Sequence, residues 1–413
     1  MKKPRIAIVS FPGNNGDTEN LRTFKRCGFD PFVFRWNDSH EKLHGVEGYF
    51  IGAGFAYEDR GRAGMVAGRD PLFTHLHQEA SKGIPVIGCC NGAQVLIESG
   101  LIPLGDGMRM SLARNAYEQN GKTIAPGFLN EWVWITPICK RGRCATAGWE
   151  GSMHIPIAHG EGRFITKDKD LIEELKRNDQ LTFAYCNPTG EVATEPPYCP
   201  NGSMMGVAGI CNPEGNVVAL MPHPERTANG DPYFRSLAAW ISAHPSHAEH
   251  PITQMENSVA TLRTRESQEC EFFIQTKIVN NEERTVEQAA KKLAENLTLK
   301  QLKYISVPLS RSQAVLGSLS LFNPNKETAY VRKNGVFYKW DADAKTEIEV
   351  DCVLDGDIAL LRTDEPDAGA SALGAGSTTG VCYVCSGVDK ENILRRNILD
   401  IFGNPHSSTL EIL

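Results

Sequence analysis

Cys90 stands midway between two glycines, in Gly88-Cys89-Cys90-Asn91-Gly92. Small residues two places either side of a nucleophile are what a strained strand-to-helix elbow needs. The backbone there passes so close to itself that Cβ atoms would clash. The register selects the second sulfur, because Cys89 would have Ile87 and Asn91 in the flanking places. A thiol on such an elbow faces the N-terminus of the next helix, whose dipole favours negative charge on sulfur. Taken alone, the stretch reads equally well as a tight turn with two buried thiols.

A cysteine nucleophile needs a base, and the base needs an orienting group. His223 follows a buried apolar run and is fenced by Pro222 and Pro224. Glu225 lies two residues on, so in extended chain its carboxylate points to the same side. There it can fix the imidazole's tautomer and stabilise the charged ring. Without the elbow, a surface turn with an incidental glutamate would be the simpler reading; with it, the two signals reinforce each other. His159, in Ala158-His159-Gly160-Glu161-Gly162, fits a substrate or partner contact and a loop-packing role equally.

These groups need a scaffold. Ile6 to Phe11 reads as a strand, followed by the turn cluster Pro12 to Asp17 and a helix from Thr18 to Cys27. Apolar runs at Pro31 to Phe34 and Gly48 to Ile51 come next, then a small-residue loop from Gly52 to Asp59. A helix from Pro71 to Lys82, the elbow strand from Gly83 and a helix ending near Ser99 complete the alternation. Such alternation predicts a parallel sheet covered by helices, with catalytic groups beyond the carboxyl ends of its strands. Cys90, Gly54 and Gly13 all fall at such ends.

From Trp132 to Gly209 short strands dominate; Val217 to Met221 then leads to His223, and a helix from Pro232 to Ile241 closes the unit. The predicted domains are 1–245, a polar linker at 246–269 and an α+β unit at 270–413. In the last, Glu271 to Val279 reads as a strand, Thr285 to Asn296 as a helix and Tyr304 to Leu309 as an apolar stretch. Ala329 to Trp340, centred on Asn334-Gly335, reads as a hairpin. Ala368 to Gly380 reads as a mobile loop, Val381 to Val384 as a strand and Asp389 to Phe402 as a helix. There are no internal repeats.

Charged residues make up 23% of the 413, with a net charge of −7. That balance gives no basic excess for nucleic acid, and no apolar run is long enough for a membrane span. Twelve scattered cysteines in a chain this long do not form a disulfide framework. The lone Cys382-Tyr383-Val384-Cys385 lacks a second pair, so buried free thiols are expected rather than zinc. The expected compartment is a reducing cytoplasm, and no metal site is predicted.

With Cys90 and His223 placed, the elbow and the segment Pro222-His223-Pro224-Glu225-Arg226 resemble class I (triad) glutamine amidotransferases. Further segments resemble the glutaminase component of phosphoribosylformylglycinamidine synthase, an enzyme of de novo purine biosynthesis. They are Phe11-Pro12-Gly13-Asn14, Gly54 to Asp59 with Arg62-Ala63-Gly64, Pro156 to Phe164, and Pro200-Asn201-Gly202-Ser203. The resemblance runs from about residue 4 to 243 and leaves the C-terminal unit unmatched. It implies an α/β fold with a mostly parallel sheet and flanking helices. Cys90 would be the nucleophile, His223 the base and Glu225 its orienter. Oxyanion amides are implied near Gly54 and Phe55 and at Asn91, with Gln94 lining the glutamine pocket. Where the family usually has two glycines this chain has Ala53-Gly54, which would matter if position 53 needed positive φ.

The resemblance also implies glutamine as substrate and ammonia passed to a separate synthetase. That partner would carry ATP and magnesium and convert formylglycinamide ribonucleotide to formylglycinamidine ribonucleotide; no cofactor is expected on this chain. A small bridging subunit accompanies the split form, and residues 270–413 could be its fused counterpart. A glutaminase serving another acceptor, or a non-catalytic scaffold of the same fold, are the alternatives. The scaffold has no need of all three triad residues.

Overall fold

Four short apolar strands lie parallel at one side of a sheet: Arg5–Ser10 (β1), Asp30–Arg35 (β2), Gly48–Ile51 (β3) and Val86–Cys89 (β4). Leu129–Pro137 (β5), Met153–His159 (β6), Leu181–Cys186 (β7), Val207–Cys211 (β8) and Val217–Leu220 (β9) extend it. The order is β2-β1-β3-β4-β9-β8-β7-β5-β6. β9 pairs parallel with β4, and the strands beyond it run antiparallel. The ends of β4 and β9, which deliver Cys90 and His223, are therefore neighbours.

The computed structural model describes residues 3–244 and 257–413, and the chain divides into two units, Met1–Met255 and Glu256–Leu413. In the first unit, alternation along β1 sends Ala7 and Val9 to one face and Ile6 and Ile8 to the other. Helices Leu72–Ser81 (α2) and Asn91–Glu98 (α3) cover the first face through Leu72, Leu76, Val95 and Leu96. Asp17–Arg26 (α1) and, at the end of the unit, Asp231–Ala243 cover the second through Phe24, Phe234 and Leu237. Each such buried side chain contributes roughly 1.5–3 kcal/mol. Both faces of β4 are thus filled, which holds the elbow rigid. Among the described residues no helix is long and apolar enough to cross a membrane.

The second unit is built on eight antiparallel strands: Cys270–Thr276 (β10), Thr298–Val307 (β11), Glu327–Lys333 (β12), Val336–Asp341 (β13), Thr346–Val350 (β14), Ile358–Asp364 (β15), Thr378–Ser386 (β16) and Ser408–Ile412 (β17). Their order is β14-β13-β12-β10-β11-β16-β15-β17. With the helices Asn281–Lys291 and Arg396–Phe402 this is the expected α+β unit. The first of those helices starts four residues before the predicted Thr285, because Asn280 caps the amides of Glu282 and Glu283.

Two expectations need correction. Ala368 to Gly380 is not a loop throughout: Ala368–Leu373 is a short helix and β16 begins at Thr378. Asp367 organises it, accepting from the amides of Ala370 at 2.8 Å and Thr379 at 2.7 Å. Of the predicted linker at 246–269, residues 246–256 lie outside the described residues. The remainder packs on the second unit, where Arg263 and Arg265 both pair with the buried Glu411, at 2.6 and 2.8 Å. Polarity there reflects a salt-bridged strap rather than a solvated tether. Cys382 and Cys385 are free and buried, and burial pushes Cys385 up to about 12.

Candidate active site

β4 ends at Cys89 and α3 begins at Asn91, so Cys90 alone makes the turn, at φ 52° and ψ −108°. A non-glycine residue there carries strain of the kind that persists only when its surroundings impose it. The flanking glycines impose it here. A Cβ on Gly88 would press on the Gly92 carbonyl at 2.5 Å, and one on Gly92 would collide with the Ile51 carbonyl. The Cys90 amide donates to the Leu220 carbonyl at 2.8 Å, and its Sγ lies 3.6 Å from the Ala158 carbonyl. Cys89 faces the opposite core, where burial, then the charge of Glu225, pushes its thiol well up. The backbone thus puts Cys90, not Cys89, at the turn.

His223 leaves β9 with its amide donating to the Pro156 carbonyl at 2.9 Å. Its Nδ1 lies 2.6 Å from Glu225 Oε1, and neither side chain is exposed. The chain between them is not extended as predicted. Pro224–Arg226 is a 3-10 turn, which still brings the carboxylate to Nδ1, and Thr23 Oγ1 pins the Glu225 carbonyl at 2.7 Å. Burial alone would lower the His223 pKa; the charges of Cys90 and Glu225 outweigh it and hold the ring up to about 10. Cys90 and Glu225 therefore both bear on the charge of the His223 ring.

The loop after β3 shows why Ala53 is tolerated. Ala53 is not among the residues with positive φ; Gly54 carries that conformation, at φ +152°, with Asn14 against the place of a Cβ. Asn14 staples the loop by donating from Nδ2 to the Ala53 carbonyl at 3.2 Å and accepting from the Phe11 amide at 2.6 Å. The Phe55 amide donates to the Gly13 carbonyl at 3.1 Å, and its side chain is 42% exposed. Asn91 and Gln94 are buried and bonded to each other at 3.0 Å. Asn91 Oδ1 accepts from the Ala56 amide at 3.0 Å, and Gln94 Nε2 donates to the Glu161 carbonyl at 2.5 Å. Gln94 thus ties α3 to the strand Glu161–Ile165.

Asp59 is a residue the sequence did not single out. Tyr57, Glu58 and Asp59 are three consecutive non-glycine residues in the left-handed region, at φ 53°, 58° and 53°. That turn carries the Asp59 carboxylate to Asn91 Nδ2 at 3.2 Å. Burial, then the charge of Glu161, raises it to about 7. His159, the last residue of β6, is buried. Among the described residues no group of three His, Cys, Asp or Glu side chains is placed to hold a metal ion.

Residues 3–237 match the family model for the CobB/CobQ-like glutamine amidotransferase domain. The phosphoribosylformylglycinamidine synthase subunit PurQ of Methanothrix thermoacetophila is 43% identical over 230 residues, covering 54% of this chain and 86% of that one. The subunit of the same name from Thermomicrobium roseum is 34% identical over 252 residues, covering 60% and 99%. Among solved structures, PurLQS from Thermotoga maritima aligns at a TM-score of 0.45 with 29% identity, over 58% of this chain and 99% of that one. The chain belongs to the CobB/CobQ-like glutamine amidotransferases and, within them, to the glutaminase subunits of phosphoribosylformylglycinamidine synthase, enzymes of purine biosynthesis.

Proposed function

We propose that Cys90, His223 and Glu225 hydrolyse L-glutamine through a thioester, and that the ammonia serves a separate synthetase. The observation that carries the triad is the buried 2.6 Å contact between His223 and Glu225 beside a cysteine on a strained elbow. Cys90 Sγ attacks the carboxamide carbon, and negative charge builds on its oxygen. The amides of Gly54 and Asn91 are the donors we assign to that oxygen, since preorganised donors of this kind are worth about 2.7–4 kcal/mol. His223 gives its Nε2 proton to the leaving nitrogen, the C–N bond breaks and ammonia departs. Water then attacks the thioester, His223 takes its proton, and glutamate leaves as the C–S bond breaks. Glu225 holds the ring in one orientation throughout and stabilises its charge.

Gln94 and Asn91 shape the glutamine pocket in this reading, and Phe55 borders its mouth. Formylglycinamide ribonucleotide, ATP and magnesium belong to the synthetase, which makes formylglycinamidine ribonucleotide; this chain needs no cofactor of its own. The relatives named as synthase subunits support that acceptor. The test is glutamate release by the chain with and without the synthetase, alongside mapping of a glutamine-analogue electrophile. Adduct on Cys90 and synthetase-stimulated glutamate release are expected. Release without any Cys90 adduct would overturn the triad.

A further inference from the structure

Buried polar side chains almost always find hydrogen-bond partners. His159 does not: it is 2% exposed, and neither ring nitrogen bonds to any described residue. The surrounding backbone is fitted to the ring. Gly162 lacks the Cβ that would overlap the imidazole. Asn115 fastens the two segments around it, donating from Nδ2 to the His159 carbonyl at 2.9 Å and accepting from the Gly162 amide at 3.2 Å. A histidine kept only to fill space would leave two unsatisfied groups, each costing about 1–3 kcal/mol, where a leucine would leave none.

The strand that carries His159 also runs beside Cys90 and His223. His159 directly follows Ala158, whose carbonyl faces Cys90 Sγ at 3.6 Å. It belongs to β6, whose Pro156 carbonyl receives the His223 amide at 2.9 Å. Burial, then the charge of His223, pushes its pKa down to about 3. The imidazole is therefore neutral across the working range, with one nitrogen donating and the other accepting.

We propose that His159 holds the small neutral molecule that leaves or enters at the thioester, the departing ammonia or the water that replaces it. Either can accept from the imidazole N–H or donate to its other nitrogen, and since the two nitrogens point apart one molecule meets one of them. A neutral ring binds ammonia without protonating it, so the product stays nucleophilic. No covalent bond forms to His159. The nitrogen leaves carbon with the proton from His223 Nε2, and the later water gives its proton back to His223. The inference rests on the triad reading above.

The test feeds the full chain glutamine with isotope-labelled ammonium. It compares label exchange into the glutamine amide with glutamate formation, and follows acid-trapped thioester on Cys90. Losing one hydrogen bond of this kind should change a partition about fivefold. In His159→Leu, a fall of that size in the ratio of exchange to hydrolysis identifies ammonia as the bound species. A thioester that persists about fivefold longer identifies water. His159→Gln, which keeps a donor and an acceptor, should recover most of either effect. Should the leucine variant not fold, His159→Phe makes the same comparison. A partition and thioester lifetime unchanged in both apolar variants would overturn the proposal. Absence of any Cys90 thioester in the unsubstituted chain would instead overturn the triad reading, and this inference with it.

Discussion

The carbonyl oxygen of Ile51, at the end of β3, occupies the place where a side chain on Gly92 would stand. This contact sets how closely α3 approaches the sheet, and so how far Cys90 projects beyond it. Gly92→Ala should therefore destabilise the chain by about 1–3 kcal/mol, the range for overpacking a tight site. It should also slow alkylation of Cys90 relative to the parent. Thermal unfolding and thiol-labelling rates measure the two effects. Unchanged values for both would mean that the elbow can relax, and the glycine requirement would fall.

Cys90, not Cys89, should carry the chemistry. Cys89 ends β4 facing a core that contains Tyr233 and Phe234, and burial pushes its thiol well up. Cys90→Ala should abolish glutaminase activity, while Cys89→Ser should retain most of it at some cost in stability. Peptide mapping after a glutamine-analogue electrophile decides it, and modification at Cys89 would contradict the register.

The elbow was legible in the sequence because its requirement is local. Glycine at two fixed offsets and an apolar run on either side suffice. His223 was legible for the same reason, as a residue just past a buried strand. The route from His223 to Glu225 was not, since the Pro224–Arg226 turn reaches the same contact as an extended chain would have done. Asp59 lies in the Gly54 to Asp59 segment that carries the resemblance, but nothing there singled it out. Its position depends on three consecutive left-handed residues, a conformation that their side chains disfavour and that contacts with Asn91 and Pro12 impose. In the second unit, Asn334 at φ 49° and Gly335 at φ 81° make the predicted hairpin. The pairing of β11 with β16 joins segments far apart in sequence, and no local pattern announces it.

His223→Ala should remove activity nearly completely, and Glu225→Gln should lower it less, because the glutamate orients and stabilises but transfers no proton. The pH dependence of stability adds an independent check. The His223 pKa is raised in the folded state to about 10 by Cys90 and Glu225 against the pull of burial. Its contribution to stability is thus complete below the ordinary histidine value and is lost as pH rises through about 10. Cys90→Ala removes one source of that shift, so its stability should fall less steeply across this window. Denaturant titrations at a series of pH values measure the slope; equal slopes would detach Cys90 from the ring.

Asp59 carries the same sign over a lower range of pH. Burial and Glu161 raise its pKa to about 7, so the folded chain binds a proton there that the unfolded chain has released. Stability from this group is complete at acid pH and declines as pH rises from the ordinary carboxyl value through about 7. Asp59→Asn removes the penalty and should stabilise the chain at pH 8 by about 1–3 kcal/mol. If the carboxylate also helps hold glutamine through Asn91, KM should rise while kcat changes less. Loss of stability at pH 8 would show that the Asn91 contact outweighs the desolvation cost.

The second unit should be dispensable for thiol chemistry and needed for recruiting the synthetase. Every triad residue lies before Arg226, and both cores that hold the elbow are complete within the first unit. Residues 257–269, by contrast, belong with the second unit, through the ion pairs of Arg263 and Arg265 with Glu411. Cutting before that strap leaves Glu411 with its partners and the first unit with its own. A chain ending at Ser246 should therefore stay soluble, and an electrophile should still label Cys90 at the parent rate. What it should lose is affinity for the synthetase, and with it synthetase-stimulated glutamate release. Pull-down and stimulation assays on the shortened and full-length chains, with labelling as the control, separate the two roles. Full synthetase binding and stimulation by the shortened chain would remove recruitment from residues 270–413, and slowed labelling would show that the second unit supports the elbow after all.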